Sequence, residues 1–474
     1  MLITETIKPQ QTSSFNGDAK LVSPTKNKVK EFSFLKQITL RKVSFWDFTS
    51  NVLQAEATKH NFELVRLGDL IVQRKGFFTI DDEQEYKRCK VQLYARGVIL
   101  RDIVKGDEIK TKKQQLCKKD DFLVAEIDAK VGGYGIVPNE LENAVVSSHY
   151  YLYEIDTIKL LPDFLGLYVK TEEFAKQVKA TGSTNYASIR PAQVLEYQIP
   201  LPPIAVQEKL VAAYNAKMLQ AAQFEAQAKD LEQEIETYLL KELGIKIQQT
   251  EKKDWKGFSF LQSAKLKELS RWDTWALGKD LNSLLHKNLT LRDVTIGEPQ
   301  YGANSKATKK ATDCRYIRIT DINEDGSLND EFVSAEKFES QYLLKENDLL
   351  IARSGATVGK TFLYKESFGK AIYAGYLVRY KINSEIIQPA YLFMFTKSSI
   401  YKHWIKSNQR ISAQPNINGQ EFLNSIVILP PLKIQNKIVK HINSLKAKIK
   451  ALKIEAKDLR IKAKSEFESE LFEM

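Results

Sequence analysis

Two long segments of the chain, residues 206–243 and 434–472, place apolar residues on one helical face at heptad spacing. In the first segment the row consists of Leu210, Tyr214, Lys217, Ala221, Phe224, Ala228, Leu231 and Ile235. In the second it consists of Ile438, Ile442, Leu445, Ile449, Leu452, Ala456, Leu459 and Ala463. Alternating steps of four and three residues keep a row on one face while two helices wind together, so the pattern predicts a coiled coil. Two ordinary core helices are the alternative, but they explain neither the length, roughly 55 Å at about 1.5 Å per residue, nor the spacing.

The two helical segments are copies of each other. The second row repeats the first at a constant distance of 228 positions, and Lys217 is its one plainly polar member. Leu-Pro-Pro precedes both segments, and Gln207 and Gln435 hold the same position just inside. Proline lacks the backbone N–H, so each pair ends the preceding strand. Gly244 suits a C-terminal cap of the first helix.

The repeat extends into the regions between the helices. Four motifs of the first copy recur in the second, at distances of 224 to 227 positions. They are Ser44-Phe45-Trp46-Asp47 as Ser270-Arg271-Trp272-Asp273, Leu67-Gly68-Asp69-Leu70 as Leu291-Arg292-Asp293-Val294, residues 119–125 as 346–352, and Ala129, Val131 and Gly132 as Ala356, Val358 and Gly359. The residues between these motifs differ. A duplicated scaffold with unlike inserts predicts two related domains that recognise two different targets.

These patterns predict an α+β fold with an internal pseudo-two-fold repeat. Residues 121–127 and 348–353 are apolar runs rich in β-formers and predict strands, whereas residues 163–181 and 389–407 predict helices with aromatic faces. The expected layout is a basic, flexible arm at 1–40, a globular domain at 41–205, a long helix at 206–244, a linker at 245–270, a second domain at 271–432 and a second long helix at 433–474. The arm could instead contact DNA phosphates.

Composition favours a soluble protein with a polyanionic partner. The chain has 474 residues, 43% of them hydrophobic, and a net charge of +12. Its three cysteines, Cys89, Cys117 and Cys314, are too far apart in sequence for a disulfide framework or a zinc motif. This cysteine usage fits a reducing cytoplasm. The sequence has no apolar run near 18 residues, so we expect no membrane span.

The sequence contains no motif that predicts catalysis. Residues 355–361, Gly-Ala-Thr-Val-Gly-Lys-Thr, have three residues before the Gly-Lys pair, whereas a phosphate-binding P-loop needs four. A tight turn after a buried strand is the better interpretation. Asp121, Asp128 and Lys130 have the residue types of a metal-dependent nuclease, but the second copy does not preserve them. No Asn-Pro-Pro-Tyr or Asp-Pro-Pro-Tyr stretch, which adenine methylation uses, is present.

Basic, amide and aromatic residues cluster in the part of each copy that varies. Arginine recognises guanine with two hydrogen bonds, asparagine and glutamine recognise adenine, and lysine mostly neutralises phosphate. The candidate DNA-binding residues are Arg74, Lys75, Arg88, Lys90, Gln92, Tyr94, Arg96, Lys112, Lys113 and Lys130 in the first copy, and Tyr301, Asn304, Ser305, Lys306, Lys309, Arg318, Arg353 and Lys360 in the second. For any one of them a solvated surface charge is an equal alternative.

As a set, these features resemble the specificity subunit of Type I restriction–modification systems. They are two copies of a Trp-Asp pair, a variable domain, Leu-Pro-Pro followed by Gln, and a long helix, over residues 41–474. Residues 353–360 are similar to a recurrent stretch of the target recognition domains of that family, and Tyr301-Gly302-Ala303 with Lys306 is similar to another.

The resemblance implies a chain without catalytic activity or a cofactor of its own. Each domain would recognise one half of a split target in double-stranded DNA, and the helices would pair antiparallel as a spacer. Two modification subunits would bring S-adenosylmethionine chemistry, and restriction subunits would bring ATP- and Mg²⁺-dependent translocation and cleavage. Two alternatives remain open: a nuclease or methylase with an unrecognised site, and a coiled-coil tether that does not bind specific DNA.

Overall fold

The computed structural model describes residues 59–179, 188–245, 283–309, 312–409 and 415–473. The predicted arm, both Trp-Asp motifs and nearly all of the linker lie outside these ranges. The described residues form two units of strands and short helices, each followed by one long helix.

Short strands precede a long helix in the first unit. Its strands are β1 (Leu64–Arg66), β2 (Ile71–Arg74), β3 (Phe77–Thr79), β4 (Glu85–Gln92), β5 (Gly97–Lys105), β6 (Lys113–Leu116), β7 (Phe122–Ala125), β8 (Tyr134–Ile136), β9 (Val145–Val146), β10 (Tyr150–Ile155) and β11 (Gln198–Pro200). Its helices are α1 (Pro162–Tyr168), α2 (Glu172–Gln177), α3 (Pro191–Leu195) and the long α4 (Ile204–Glu242).

The second unit likewise has short strands and short helices before its long helix. Its strands are β12 (Lys287–Thr290), β13 (Thr295–Tyr301), β14 (Ala307–Thr308), β15 (Arg315–Ile317), β16 (Ser334–Ala335), β17 (Asp348–Ala352), β18 (Thr361–Leu363), β19 (Ala371–Tyr373), β20 (Leu377–Ile382) and β21 (Ile426–Leu429). Its helices are α5 (Pro389–Phe395), α6 (Ser399–Asn408), α7 (Gly419–Phe422) and the long α8 (Leu432–Leu471).

Two sheets recur in both units, and we call them the frame. One is an antiparallel pair, β1 with β11 and β12 with β21. The other has four antiparallel strands, in the order β2-β10-β7-β8 in the first unit and β13-β20-β17-β18 in the second. Strands β7 and β17 are buried along their whole length, because their apolar runs pack on both faces of the sheet. These are the strands that the repeated apolar runs predict.

Between the frame strands the two units differ. The first unit has a five-stranded sheet in the order β3-β6-β9-β4-β5, with the long hairpin β4–β5 at its edge. The second unit has two separate strand pairs, β14 with β16 and β15 with β19. The prediction of a shared scaffold with unlike inserts agrees with this topology.

The two helices predicted at 163–181 and 389–407 are each divided in the structure. Thr171 lies between α1 and α2, and its hydroxyl accepts a hydrogen bond from the backbone N–H of Phe174. Ser398 lies between α5 and α6 and accepts one from the N–H of Tyr401. These hydroxyls cap a new helix start, which the apolar spacing did not reveal.

The long helices α4 and α8 lie side by side and run antiparallel. Four lysine or arginine side chains pair with glutamates across the two helices. These pairs are Lys217–Glu466 at 2.6 Å, Arg460–Glu225 at 2.8 Å, Lys453–Glu232 at 2.7 Å and Lys437–Glu242 at 2.8 Å, and the ring of His441 also lies 3.9 Å from Glu234. All sixteen residues of the two heptad rows are buried or partly buried. Lys217 is tolerated there because Glu466 of the other helix neutralises it.

Each unit's core contains the start of its own long helix and the end of the other one. Phe467 and Leu471 of α8 pack in the core of the first unit, together with Leu210. Leu239 and Leu240 of α4 pack in the core of the second unit in the same way. The two helices therefore join the units through both cores.

One buried glutamine fixes the start of each long helix. The Gln207 amide donates to the carbonyls of Pro202 at 2.8 Å and Lys159 at 2.9 Å, and its oxygen accepts from the N–H of Leu161 at 2.9 Å. Gln435 repeats this arrangement with the carbonyl of Pro430 and the N–H of Gln388. At the end of α4, Gly244 has φ of +66°, which confirms the predicted glycine cap.

Two of the cysteines that are distant in sequence meet in the core of the first unit. The Sγ atoms of Cys89 and Cys117 are 3.5 Å apart, and both residues are buried as free thiols. The spacing of these cysteines in the sequence did not indicate that they lie side by side.

Candidate nucleic-acid interface

Five of the eighteen candidate DNA-binding residues have their charge paired within the chain. Arg74 binds the Asp121 carboxylate, and its Nη2 donates to the Leu116 carbonyl at 2.9 Å. Arg88 makes two hydrogen bonds of 2.7 Å to the Asp102 carboxylate and lowers the pKa of that carboxyl. Pairing of this kind stabilises the sheets and leaves less of each cation for a ligand.

The other three paired cations show the same arrangement. Lys112 binds Asp82 and donates to the Gly106 carbonyl at 2.7 Å. Arg318 binds the buried Asp321 at 2.6 Å and Glu331 at 2.9 Å. Lys360, with 14% of its side chain exposed, binds Glu324 at 2.8 Å, and the hydrogen bond from its ammonium lowers the pKa of Glu324.

Most of the remaining candidates are exposed on the inserts and the turns beside them. The exposed polar members are Lys75, Lys90, Arg96, Lys113, Lys130, Asn304, Lys306 and Lys309, whereas Gln92 and Ser305 are half-buried. The Lys113 ammonium lies 4.9 Å from the centre of the Phe77 ring, which holds this lysine beside an exposed aromatic face. The Ser305 hydroxyl accepts from the N–H of Lys337 at 3.0 Å and so orders the loop that carries Asn304 and Lys306.

The tip of hairpin β4–β5 presents a tyrosine on a strained turn. Tyr94 is 74% exposed and has φ of +61°, and the next residue, Ala95, has φ of +52°. Their N–H groups donate to the carbonyls of Val131 and Gly132, both at 2.8 Å. The Arg96 guanidinium lies 5.7 Å from the centre of the Tyr94 ring. Left-handed backbone at two residues other than glycine is unfavourable and persists only where surrounding contacts impose it.

The second unit also places a tyrosine and an arginine together. Tyr301 ends strand β13 and is 41% exposed, and its hydroxyl accepts from the N–H of Gly419 at 2.9 Å. Arg353 is the residue after strand β17, and its guanidinium lies 5.0 Å from the centre of the Tyr301 ring. The backbone carbonyl of Arg353 accepts from Ile417 at 3.0 Å. The segment that contains Ile417 and Gly419 thus holds both members of the pair.

The P-loop-like stretch forms the tight turn that its spacing predicts. After the buried strand β17 the chain makes one turn of 3-10 helix, Gly355–Thr357, and the N–H of Gly359 returns to the carbonyl of Ala352 at 2.8 Å. Gly355 and Gly359 both have positive φ. Lys360 points to Glu324 and Ile322 of the protein itself. The stretch therefore closes on its own backbone.

The nuclease-like residues do not form one carboxylate group. Asp121 is buried between Arg74 and the N–H of Lys118, at 2.7 Å, and burial raises its pKa. Asp128 begins the next turn, where its backbone carbonyl accepts from Gly133. Among the residues that the structure describes, no three histidine, cysteine, aspartate or glutamate side chains are grouped to hold a metal ion.

A half-buried lysine that sequence reasoning did not select lies behind the turn of the second unit. Lys397 donates to the Thr361 carbonyl at 2.9 Å, and its ammonium lies 4.8 Å from the centre of the Phe393 ring. Burial, together with the nearby Lys446 charge, lowers its pKa to about 7. It lines a cavity of about 250 Å³ with Lys360 and Lys402. The cavity lies between the turn that ends at Lys360 and the segment from Thr396 to Gln409, which are remote in sequence.

Within the described ranges, no helix combines the length and the apolar character that crossing a bilayer requires.

Comparison with known sequences gives one family, matched twice. The sequence pattern described as the Type I restriction modification DNA specificity domain matches residues 59–236 and 289–458. Both matches begin near the start of a unit and end within its long helix.

Specificity subunits of Type I restriction enzymes are similar in sequence to parts of this chain. The specificity subunit of the Type I restriction enzyme EcoKI of Escherichia coli (strain K12) is 20% identical over 292 residues, which are 60% of this chain and 58% of that protein. The EcoBI specificity subunit of Escherichia coli is 23% identical over 257 residues, 52% of this chain and 51% of that protein. The alignments thus span between half and three fifths of these relatives.

One solved structure has the same fold. It comes from work on complex assembly and conformational transition of the type I R-M system, and it covers 86% of this chain and 96% of its own. Its TM-score is 0.55 at 16% identity, which establishes similarity of fold.

Proposed function

The chain belongs to the Type I restriction modification DNA specificity family, and on that premise we propose that it recognises DNA sequence in a Type I restriction–modification complex without catalysing a reaction itself. Each unit acts as a target recognition domain for one half of a bipartite target in double-stranded DNA. The observation that carries this proposal is the pair of matched domains with one frame and two different inserts.

The inserts support recognition of two different half-sites. Lys90 and Arg96 of the first unit have no carboxylate partner in the part of the chain that the structure describes, and both lie on the exposed surface of the insert. Paired cations such as Arg88 hold the sheets together. Contacts to phosphate set the position on the duplex and contacts to base edges set the sequence, so two unlike surfaces select two sequences.

The helices serve as a spacer between the two recognition domains. The buried heptad rows and the four ion pairs support an antiparallel coiled coil with a fixed length. Each end of the helix pair is packed in a domain core, so the distance between the domains follows from the number of helical turns. The outward faces of α4 and α8 dock two modification subunits.

The partners supply the chemistry. Modification subunits bind S-adenosylmethionine and methylate adenine, whereas restriction subunits use ATP and Mg²⁺. The whole complex works in the cytoplasm.

The test is the methylation pattern of a reconstituted complex. The chain is purified with the modification subunits of its own system and incubated with S-adenosylmethionine and a library of random duplexes. Sequencing of the methylated adenines should give two short constant blocks with an unread spacer between them. Methylation without a bipartite consensus would contradict the proposal.

Two further measurements separate the alternatives. The chain alone, with DNA, metal and S-adenosylmethionine, should neither cleave nor methylate, and activity there would identify an enzyme. Duplex affinity should fall steeply with salt, because neutralised phosphates release counterions. Affinity that is independent of salt and sequence would identify a tether.

A further inference from the structure

Both units place a tyrosine–arginine pair beside the same turn of the frame, although the pairs come from different segments. In the first unit, Tyr94 and Arg96 belong to the hairpin of the insert. In the second, Tyr301 ends frame strand β13 and Arg353 follows frame strand β17. The frame position that corresponds to Arg353 is Glu126, which pairs with His149 at 2.8 Å.

The turns themselves correspond closely. Each follows the buried central strand and contains one turn of 3-10 helix, at Asp128–Val131 and Gly355–Thr357. The backbone carbonyl of Glu126 accepts from Ile189 at 3.0 Å, as that of Arg353 accepts from Ile417. The duplication therefore preserved the turn but not the residues next to it in sequence. A tyrosine and an arginine nevertheless lie beside the turn in both units.

The geometry leaves these arginines able to bind a ligand. Neither Arg96 nor Arg353 has a carboxylate partner among the described residues, in contrast to Arg74, Arg88 and Arg318. A guanidinium held against a ring has fewer rotamers to lose on binding, and its planar edge remains able to donate two parallel hydrogen bonds. Guanine offers the matching pair of acceptors in the major groove.

We propose that the pairs Tyr94–Arg96 and Tyr301–Arg353 are the base-reading contacts of the two half-sites, one pair to each. The tyrosine positions the guanidinium, and the arginine makes a bidentate contact to a base. This inference rests on the proposed function and adds to it the residues that determine specificity. It separates them from exposed lysines such as Lys90 and Lys306, which contact phosphate.

The test uses the reconstituted complex and conservative variants. Arg96→Lys and Arg353→Lys keep the positive charge but remove the bidentate geometry. We expect each to lower discrimination at one or two base positions by about 10- to 100-fold. Arg96→Lys should affect one half-site and Arg353→Lys the other, and the slope of affinity against salt should stay that of the unmodified protein.

Matched controls and a second variant make the result specific. Arg66→Lys and Arg292→Lys change exposed arginines outside the inserts and should leave the consensus unchanged. Arg66 pairs with Asp69 and Glu196, and Arg292 donates to Gln420. Tyr94→Leu removes an exposed ring without opening the core. It should relax the same positions as Arg96→Lys, because the guanidinium loses its support.

The outcomes are distinguishable. A bipartite consensus for the unmodified complex that survives Arg96→Lys and Arg353→Lys overturns this inference and leaves the proposed function intact. Equal losses at both half-sites identify phosphate contacts and also overturn it. If the unmodified complex has no bipartite consensus, the proposed function fails and the inference fails with it.

Discussion

At the residue scale, burial and pairing divide the basic residues into two groups. Arg74 and Lys75 are neighbours in sequence, yet Arg74 is held by the buried Asp121 and Lys75 is exposed. The same contrast separates Arg88 from Lys90 on strand β4. DNA contact by any of these residues stays a prediction, but their contributions to stability differ and can be measured.

Replacing Arg74 should destabilise the first domain. Arg74→Ala leaves the Asp121 carboxylate buried without its partner, and breaking a buried pair in this way costs about 3–5 kcal/mol of unfolding free energy. Chemical denaturation measures this loss. It should shrink as the pH falls, because burial already raises the pKa of Asp121 and protonation removes the unpaired charge.

Two control variants accompany Arg74→Ala. Adding Asp121→Asn should recover part of the stability, since the amide oxygen can still accept from the N–H of Lys118. Lys75→Ala should leave stability unchanged and weaken DNA binding. Equal stability of Arg74→Ala and the unmodified protein at neutral pH would contradict the structural role of this arginine.

Lys397 should make the stability of the second domain depend on pH. Its pKa is lowered to about 7 in the folded protein, whereas the unfolded chain keeps the ordinary value near 10.5. Between these values the unfolded state binds more protons, so unfolding free energy should rise with pH. Lys397→Met removes the buried ammonium and should flatten this rise.

The comparison of Lys397→Met with the unmodified protein isolates this one group. The melting temperature of Lys397→Met minus that of the unmodified protein should be largest near pH 7 and should fall towards pH 10. Lys365→Met, which changes an exposed lysine of the same domain away from this cavity, serves as the control and should show no such trend. A constant difference across the pH range would mean that Lys397 titrates normally.

At the scale of the elements, the long helices are fixed by buried polar contacts as well as by apolar packing. Gln207 and Gln435 each connect the first turn of a long helix to the chain segment before it and to a loop of its own domain. The repeated Pro-Pro-x₃-Gln spacing thus places a glutamine whose hydrogen bonds fix the direction in which each helix leaves its domain.

Removing either glutamine should loosen that junction. Gln207→Leu has similar volume but leaves the Leu161 N–H and two carbonyls without partners, at a cost on the order of 1–3 kcal/mol. Gln435→Leu should behave alike in the second domain. Hydrogen exchange measured by mass spectrometry should show faster exchange around residue 161 or residue 388 respectively. The exposed Gln220→Leu on α4 is the control, and a similar exchange pattern in that variant would refute the role of the buried amides.

At the scale of the whole molecule, the helix pair has its centre at two alanines. The ion pairs Glu225–Arg460 and Glu232–Lys453 lie on either side of Ala228 and Ala456, both of which are fully buried in the heptad rows. The two alanines therefore lie opposite each other, at the same position along the axis of the helix pair. An insertion at both positions would lengthen the spacer symmetrically and leave the flanking ion pairs in register.

Inserting one heptad after Ala228 and one after Ala456 should separate the half-sites. Seven residues add about 10 Å of helix, which corresponds to about three base pairs of duplex at roughly 3.4 Å each. The consensus of the reconstituted complex should keep both constant blocks and gain a longer spacer. Some affinity should be lost, because three base pairs also rotate one half-site by about 100° around the duplex.

A matched control inserts the same heptad only after Ala228. This variant should disrupt the register of the helix pair and lose both assembly and specific methylation. An unchanged spacer in the double insertion, or changed bases within a block, would show that the helices do not set the separation.

Much of this architecture is determined by the sequence itself. A heptad row needs only local spacing to be recognised, and the constant distance of 228 positions shows that the two halves share one plan. The buried strands β7 and β17 and the cap at Gly244 follow from short apolar runs and from the conformational freedom of glycine. Such features depend on neighbours in sequence, so the sequence predicts them.

Tertiary structure alone decided which side chains are available for function. Nothing in the sequence distinguishes Arg88, bound to Asp102, from Arg96, which lies over Tyr94, because the partner of each is chosen by strand register and turn geometry. The contact of Tyr301 with Arg353 joins positions 52 residues apart, and the contact of Lys217 with Glu466 joins the two helices. Charge pairing and burial depend on distances of a few ångströms between segments remote in sequence, and only the folded chain brings those segments together.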